Sequence, residues 1–127
     1  MKIAALIARY LLGLVFLVFG LNGFLQFIPA QPLPPGTAGQ FAGALMASHY
    51  FLVVSAVQVA GGVLLLVNRY VPLALVLLGP VIVNIFFFHL LMARSGLPLA
   101  IVVVILWGIL FLRHRQSFSG IFVQRTS

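Results

Sequence analysis

The chain has 127 residues, of which 64% are hydrophobic, and it carries seven basic residues but no aspartate or glutamate. A soluble domain of this length could not bury so much apolar side chain, so the composition indicates one integral membrane domain. With no carboxylate and no cysteine, the chain cannot form a paired-acid hydrolase site, a Mg²⁺ or Ca²⁺ cage, a disulfide or a thiolate metal site. The positive charge therefore indicates topology and contact with anionic lipid, and no nucleic-acid partner is expected.

Four apolar stretches are long enough to cross a bilayer. They cover residues 4–27, 50–67, 71–92 and 97–112. The short connections between the last three force neighbouring spans to run antiparallel. The predicted fold class is an all-α membrane protein, an antiparallel four-transmembrane-helix bundle formed by residues 1–127 as a single domain. Pro80 lies inside the third span, where it removes a backbone donor and should kink the helix.

The connection over residues 28–49 is much longer and contains no basic residue. It begins with the proline-rich run "PAQPLPPG", which is typical of a non-helical turn segment. Phe41, Leu45 and Met46 then follow near-helical spacing, with Thr37 as the expected N-cap. We therefore predict a short interfacial helix on the outer surface of the membrane.

The basic residues predict the orientation of the bundle. Six of the seven fall at one end: Lys2, Arg9, Arg69, Arg113, Arg115 and Arg125. By the positive-inside rule, both termini and the tail 113–127 should be cytoplasmic, in a bacterial-type inner (plasma) membrane with anionic lipids against this end. Arg9 is expected to extend to the headgroups. The first span should stay uncleaved, because a cut after Ala30 would put the large Ile28 where signal peptides need a small residue.

Polar side chains inside the membrane are costly, and each is a hypothesis about function. In the predicted outer half they are Asn22, Gln26, Gln58, Asn84 and His89. Amides and an imidazole suit carbonyl oxygens, and Phe19, Phe86, Phe87 and Phe88 could form apolar walls. We predict a pocket for a small amphipathic molecule such as a quinone or a lipid. The alternative is that these side chains only join helices, at about 0.6 kcal/mol per hydrogen bond.

Two residues leave specific questions open. His89 follows Asn84 by five positions, which turns it about 140° away on an ideal helix. Either the kink at Pro80 and a wide cavity admit both side chains, or His89 lines a rim or a subunit contact. Arg94 lies alone at the outer end and has no acidic partner in the chain. It must meet water, a phosphate, a ligand or a carboxylate of another protein, so we expect an anion or partner contact there and no metal site.

Several short runs occur in a specific order: "GLNGF" ending the first span, "GGVLLL" in the second, "NRYVPLA" in the connection and "NIFFFH" in the third. In this order the chain resembles the DoxX family of small four-helix membrane proteins over residues 8–112. That family is named for subunits linked to a quinol oxidase and a thiosulfate–quinone oxidoreductase, and some bacterial members are associated with oxidative-stress complexes. The resemblance implies a redox-linked setting and a redox partner protein. Many members carry an acidic residue where Gln58 stands, and an amide cannot titrate in its place.

These observations favour an accessory membrane subunit of a quinone-linked or oxidative-stress assembly, with the polar pocket holding an amphipathic ligand. No covalently bound cofactor is expected, and a quinone is the cofactor that the pocket would suit. The sequence leaves the enzyme question open, although we expect no catalysis from the chain alone. A small transporter of a neutral or anionic solute, a purely structural membrane protein and a homo-oligomer also remain open.

The predicted orientation can be tested with reporter fusions. Alkaline phosphatase fused after Ser127 should be inactive, and the same enzyme inserted in the loop 28–49 should be active, because it folds only outside the cytoplasm. Activity of the C-terminal fusion would contradict the predicted topology.

Overall fold

The computed structural model describes residues 2–29 and 32–125, which are helical with no strand among them. Five α-helices follow one another: α1 (Lys2–Leu25), α2 (Gly36–Ala47), α3 (Tyr50–Val67), α4 (Val71–Leu91) and α5 (Leu97–Arg113). Two 3₁₀ turns, Arg94–Gly96 and Arg115–Phe118, flank α5. Four helices, α1, α3, α4 and α5 with its preceding turn, are long and apolar enough to span a membrane. The predicted all-α four-span membrane fold is confirmed.

The four long helices form a closed bundle in which α1 and α4 each pack against both α3 and α5. Its centre is filled by large apolar side chains that are almost fully buried. They are Leu12, Phe16, Leu65, Leu75, Leu78 and Leu110. We call the end of the bundle with α2 and the Arg94–Gly96 turn the α2 end. The end with the start of α1, the α3–α4 connection and the tail after α5 is called the terminal end.

Local sequence explains where the helices begin and end. Asn68 ends α3 in the left-handed conformation (φ 56°), and its backbone N–H donates to the carbonyls of Leu64 and Leu65; asparagine tolerates this conformation better than most residues. Pro72 and Pro98 lie in the first turns of α4 and α5, where a missing N–H removes no helical hydrogen bond. The short helix α2 follows Pro35 and has no side-chain cap, so the predicted Thr37 cap is wrong.

Glycines bring the backbones of α1 and α3 into direct contact. A methyl group placed on Gly62 would lie 2.7 Å from the backbone nitrogen of Leu17 and 2.9 Å from the carbonyl oxygen of Gly13. One placed on Gly20 would lie 2.8 Å from the backbone nitrogen of Val59. Such close approach is how small residues hold membrane helices together where the hydrophobic effect contributes little.

Arg9 contradicts the expectation that it extends to the lipid headgroups. It is only 8% exposed, and its Nη1 donates to the carbonyls of Leu65 at 2.6 Å and Leu66 at 3.3 Å. The guanidinium also lies 4.5 Å from the centre of the Tyr10 ring. Because the last carbonyls of a helix lack intrahelical donors and carry partial negative charge, Arg9 stabilises the end of α3.

Aromatic side chains link α5 to α4 and to the tail. The indole Nε1 of Trp107 donates to the carbonyl of Leu75 at 3.0 Å. Its ring stacks on Phe111 at 5.4 Å between centroids, and Phe118 of the second 3₁₀ turn packs on Phe111 at 5.0 Å. The beginning of the tail is therefore held against the bundle.

The glycine contact predicts a specific sensitivity. Gly62→Ala should lower the free energy of unfolding by about 1–3 kcal/mol, because its methyl group has no space between the backbones of α1 and α3. Gly108→Ala on α5 is the matched control, since a methyl group there meets nothing within 4 Å. Thermal unfolding in detergent measures both, and equal midpoints for the two variants would contradict the backbone contact.

Candidate functional site

A cavity of about 610 Å³ lies between α2, α3 and α4 at the α2 end. Sites for small molecules are usually about 300–1,000 Å³ with mainly apolar walls. The apolar wall consists of Phe41, Ala42, Leu45, Val53, Val54, Val57, Leu77, Pro80, Val81, Ile85 and Phe88. Four side chains with polar groups complete the lining: Tyr50, Gln58, Asn84 and His89. The lining therefore combines apolar walls with a few polar groups, as small-molecule sites do.

Helical spacing explains how α4 presents both polar residues. Leu77, Val81, Ile85 and His89 form one row at intervals of four residues, and Pro80, Asn84 and Phe88 form the adjacent row. The cavity contacts both rows. Asn84 and His89 therefore line the same cavity. The helix continues through Pro80, and Asn84 follows it by one turn.

Both polar side chains of α4 bond to their own helix. Asn84 Nδ2 donates to the carbonyl of Pro80 at 2.8 Å. His89 Nδ1 lies 2.8 Å from the carbonyl oxygen of Ile85. A carbonyl oxygen can only accept, so Nδ1 carries the proton in this bond.

His89 is also held on two further sides. Its ring meets the ring of Phe88 edge-on at 5.1 Å between centroids. It also packs so closely on Gly96 that a methyl group there would collide with it. The 3₁₀ turn before α5 thus fixes the imidazole at the cavity.

Gln58 differs from Asn84 and His89. Its side chain makes no hydrogen bond to another residue that the structure describes, and its amide is accessible, since no buried side-chain nitrogen or oxygen of those residues is unpaired. Gln58 lines the cavity together with Val54, Val57 and Val81. Its Cβ adjoins Gly20, where α1 and α3 touch. The Cβ of Gln58 is held at the contact between α1 and α3, while its amide faces the cavity and is available to a ligand.

A family model described as DoxX matches residues 4–90. This chain belongs to the DoxX family. The matched segment runs from α1 through nearly all of α4 and includes Gln58, Asn84 and His89, and the family resemblance is thereby confirmed. Comparison with curated proteins and with solved structures gave no match.

Asn22 and Gln26 of this DoxX protein do not line the cavity. They lie at the end of α1, where Asn22 Oδ1 accepts from the backbone N–H of Ile28 at 2.8 Å. The backbone N–H of Gln26 donates to the carbonyl of Asn22 at 2.8 Å, and Gln26 is exposed with φ 51°. The structure brings together three of the five predicted pocket residues, Gln58, Asn84 and His89. Ligand binding by any of the five stays a prediction.

Arg94 lies in the 3₁₀ turn that covers His89. Its side chain is exposed, and its Nε donates to the carbonyl of Leu90 at 3.2 Å. Its role as an anion or partner contact stays a prediction. Residues 2–29 and 32–125 contain no group of three or more side chains that could hold a metal ion.

The aromatic walls differ from those expected. Phe88 alone of the four predicted phenylalanines lines the cavity. Phe86 and Phe87 line a second cavity of about 290 Å³ between α4 and α5. The other residues that line it are apolar, apart from Trp107. Phe19 lies on α1 and is 48% exposed. Phe41 and Leu45 of α2 supply the missing wall. Their spacing predicted the helix but not the surface that it covers.

The position of Asn22 predicts a structural role at the end of α1. Asn22→Ala should lower the free energy of unfolding by about 1 kcal/mol, because the N–H of Ile28 loses its acceptor. Gln26→Ala should change it by less than about 0.5 kcal/mol, as expected of an exposed side chain with no hydrogen-bond partner among the described residues. Chemical denaturation of both variants checks this, and a loss of stability in Gln26→Ala alone would contradict the assignment.

Proposed function

We propose that this DoxX protein is an accessory membrane subunit that binds a small amphipathic molecule, of the quinone or lipid class, in the cavity between α2, α3 and α4. The observation that carries the proposal is the amide of Gln58, which has no hydrogen-bond partner among the described residues and lines a mainly apolar cavity of about 610 Å³. An unpaired amide in apolar surroundings costs free energy. A ligand with a polar head and an apolar body offsets that cost and fills the space.

The residue types at the cavity favour binding over catalysis. The chain supplies no carboxylate and no thiol, so neither a carboxylate proton carrier nor a thiol redox step can operate there. Only His89 and Tyr50 among the lining residues are titratable. Electron transfer involving a bound quinone would belong to a redox partner protein, and this chain would hold or deliver the ligand.

The charge distribution supports an orientation with the terminal end in the cytoplasm. Five basic residues there are exposed: Lys2, Arg69, Arg113, Arg115 and Arg125. No acidic side chain in the chain can neutralise them. They would bind the anionic headgroups of the inner leaflet of a bacterial-type plasma membrane, each contributing about 1 kcal/mol near the surface. The cavity would then lie in the outer half of the bilayer.

Mass spectrometry of the protein extracted in native membrane patches tests the binding function. We expect the wild type to retain a defined quinone or lipid. Gln58→Leu should lower its occupancy about tenfold, because the apolar side chain keeps the volume and removes the hydrogen bonds to the polar head.

Gln26→Leu is the matched control, since it makes the same chemical change on an exposed residue outside the cavity. It should retain as much ligand as the wild type. The same bulk lipids in the wild type and both variants would contradict the binding function and favour a purely structural role.

A further inference from the structure

Arg9 is the one basic side chain of residues 2–29 and 32–125 that is buried in the bundle. Only its Nη1 bonds within the protein, to the carbonyls of Leu65 and Leu66. Its Nε and Nη2 make no hydrogen bond to a described residue, yet no buried side-chain nitrogen or oxygen of those residues is unpaired, so both atoms reach the surface. Because a guanidinium holds its donors in a fixed planar fork, the edge formed by Nε and Nη2 is available to a partner outside the chain.

The positive charge of Arg9 is only partly offset within the protein. The carbonyls at the end of a helix are together equivalent to about −0.5 elementary charge, and the ring of Tyr10, 4.5 Å from the guanidinium, adds a weak attraction. The chain has no aspartate or glutamate that could complete an ion pair. Because a charge removed from water is costly unless it is paired, an anion from outside the chain would stabilise Arg9.

The level of Arg9 in the membrane indicates where that anion comes from. Leu65 and Leu66 lie in the last turn of α3, which ends at Val67. The connection that follows, residues 68–70, is exposed and not helical. Such backbone does not lie in hydrocarbon against lipid, so α3 leaves the membrane at this level. Outside the chain, the guanidinium is therefore at the level of the lipid headgroups.

We propose that Arg9 is a binding site for one phosphate group of an anionic phospholipid. Two N–H groups, on Nε and Nη2, match two oxygens of a phosphodiester, while Nη1 keeps its bonds to α3. Arg9 itself is folded against α3, so the phosphate approaches the guanidinium at the end of that helix. The exposed Arg69, which follows in the connection, adds positive charge that favours an anionic headgroup over a zwitterionic one.

This site differs from the exposed basic residues of the terminal end. Contacts between exposed charges are screened by salt, whereas a partly buried pair is screened much less. One phospholipid per chain should therefore stay bound to Arg9 after a high-salt wash removes the others. The site shares no residue with the cavity between α2, α3 and α4, so the inference does not depend on the ligand proposed for that cavity.

The test uses two phospholipids that differ only in headgroup charge. Delipidated protein in detergent is titrated with phosphatidylglycerol and with phosphatidylethanolamine of the same acyl chains, and occupancy is followed by native mass spectrometry. The wild type should bind one phosphatidylglycerol about tenfold more tightly than phosphatidylethanolamine. That one lipid should remain bound after the high-salt wash.

Variants locate the binding at Arg9. Arg9→Gln removes the charge and the fork, and should lower the affinity for phosphatidylglycerol about tenfold or more. Arg9→Lys keeps the charge without the fork; it should bind several-fold less tightly than the wild type and serves as a second variant should Arg9→Gln misfold. Arg115→Gln is the matched control, because Arg115 also donates to a carbonyl at the end of a helix, that of Leu112 at 3.4 Å, but is exposed. It should bind like the wild type.

Thermal unfolding separates lipid binding from a purely structural role of Arg9. Phosphatidylglycerol should raise the unfolding midpoint of the wild type and of Arg115→Gln, because a ligand of the folded state stabilises it, and it should not raise that of Arg9→Gln. A purely structural Arg9 would lower the midpoint of Arg9→Gln and leave the rise on adding lipid unchanged.

Three results would overturn the inference. Wild-type affinity in both Arg9 variants would remove Arg9 from the site, and equal affinities for the two phospholipids would overturn selection of an anionic headgroup. An equal rise of the midpoint with inorganic phosphate alone would indicate a site for a soluble anion and overturn the lipid assignment. None of these results bears on ligand binding in the cavity, which the Gln58→Leu experiment tests separately.

Discussion

The chain places cationic and polar groups in a membrane without one carboxylate to receive them. In the hydrocarbon region, where water is absent, backbone carbonyls are then the main acceptors. Seven side chains of the described residues bond to backbone carbonyls: Arg9, Ser48, Asn84, His89, Arg94, Trp107 and Arg115. Two of them, Arg9 and Trp107, bond across to another helix, α3 and α4 respectively, and the other five bond within a helix or its adjoining turn. This constraint determines how the helices are joined and what the cavity can offer.

The absence of side-chain carboxylates also limits the polar groups of the cavity. Each bond to a carbonyl uses a donor, and both Asn84 and His89 of α4 bond to carbonyls of their own helix. Gln58 makes no such bond to a carbonyl of the described residues. Its Cβ lies where Gly20 brings α1 against α3, while its amide lines the cavity. The cavity therefore combines one flexible donor–acceptor group on α3 with a fixed set of groups on α4.

The sequence was sufficient for the architecture, because length and apolar content define the spans and short connections define their antiparallel order. The observed helices Tyr50–Val67 and Leu97–Arg113 differ from the predicted spans by one residue at most. Which side chains point into the bundle and which point to lipid could not be predicted in the same way. A helix such as α4 is apolar on every side, so its periodicity does not reveal which face is internal.

The candidate site was predictable only in part for the same reason. Gln58, Asn84 and His89 were identified as costly polar residues inside spans, and the structure brings them to one cavity. From its residue type, Asn22 was expected to line the same pocket, but its side chain accepts a hydrogen bond from the backbone N–H of Ile28. Arg9 was misassigned because its acceptor, Leu65, is 56 residues away along the chain. Local pattern carries no information about a contact at that separation.

That separation has a consequence for biosynthesis. When the ribosome has made only α1, the carbonyls that receive Arg9 do not yet exist. The guanidinium must stay hydrated at the membrane surface, because its burial in lipid without a partner is costly. It gains these acceptors only once α3 has been made and its glycine face meets α1. Arg9 therefore makes the arrival of α3 a condition for the final packing of α1.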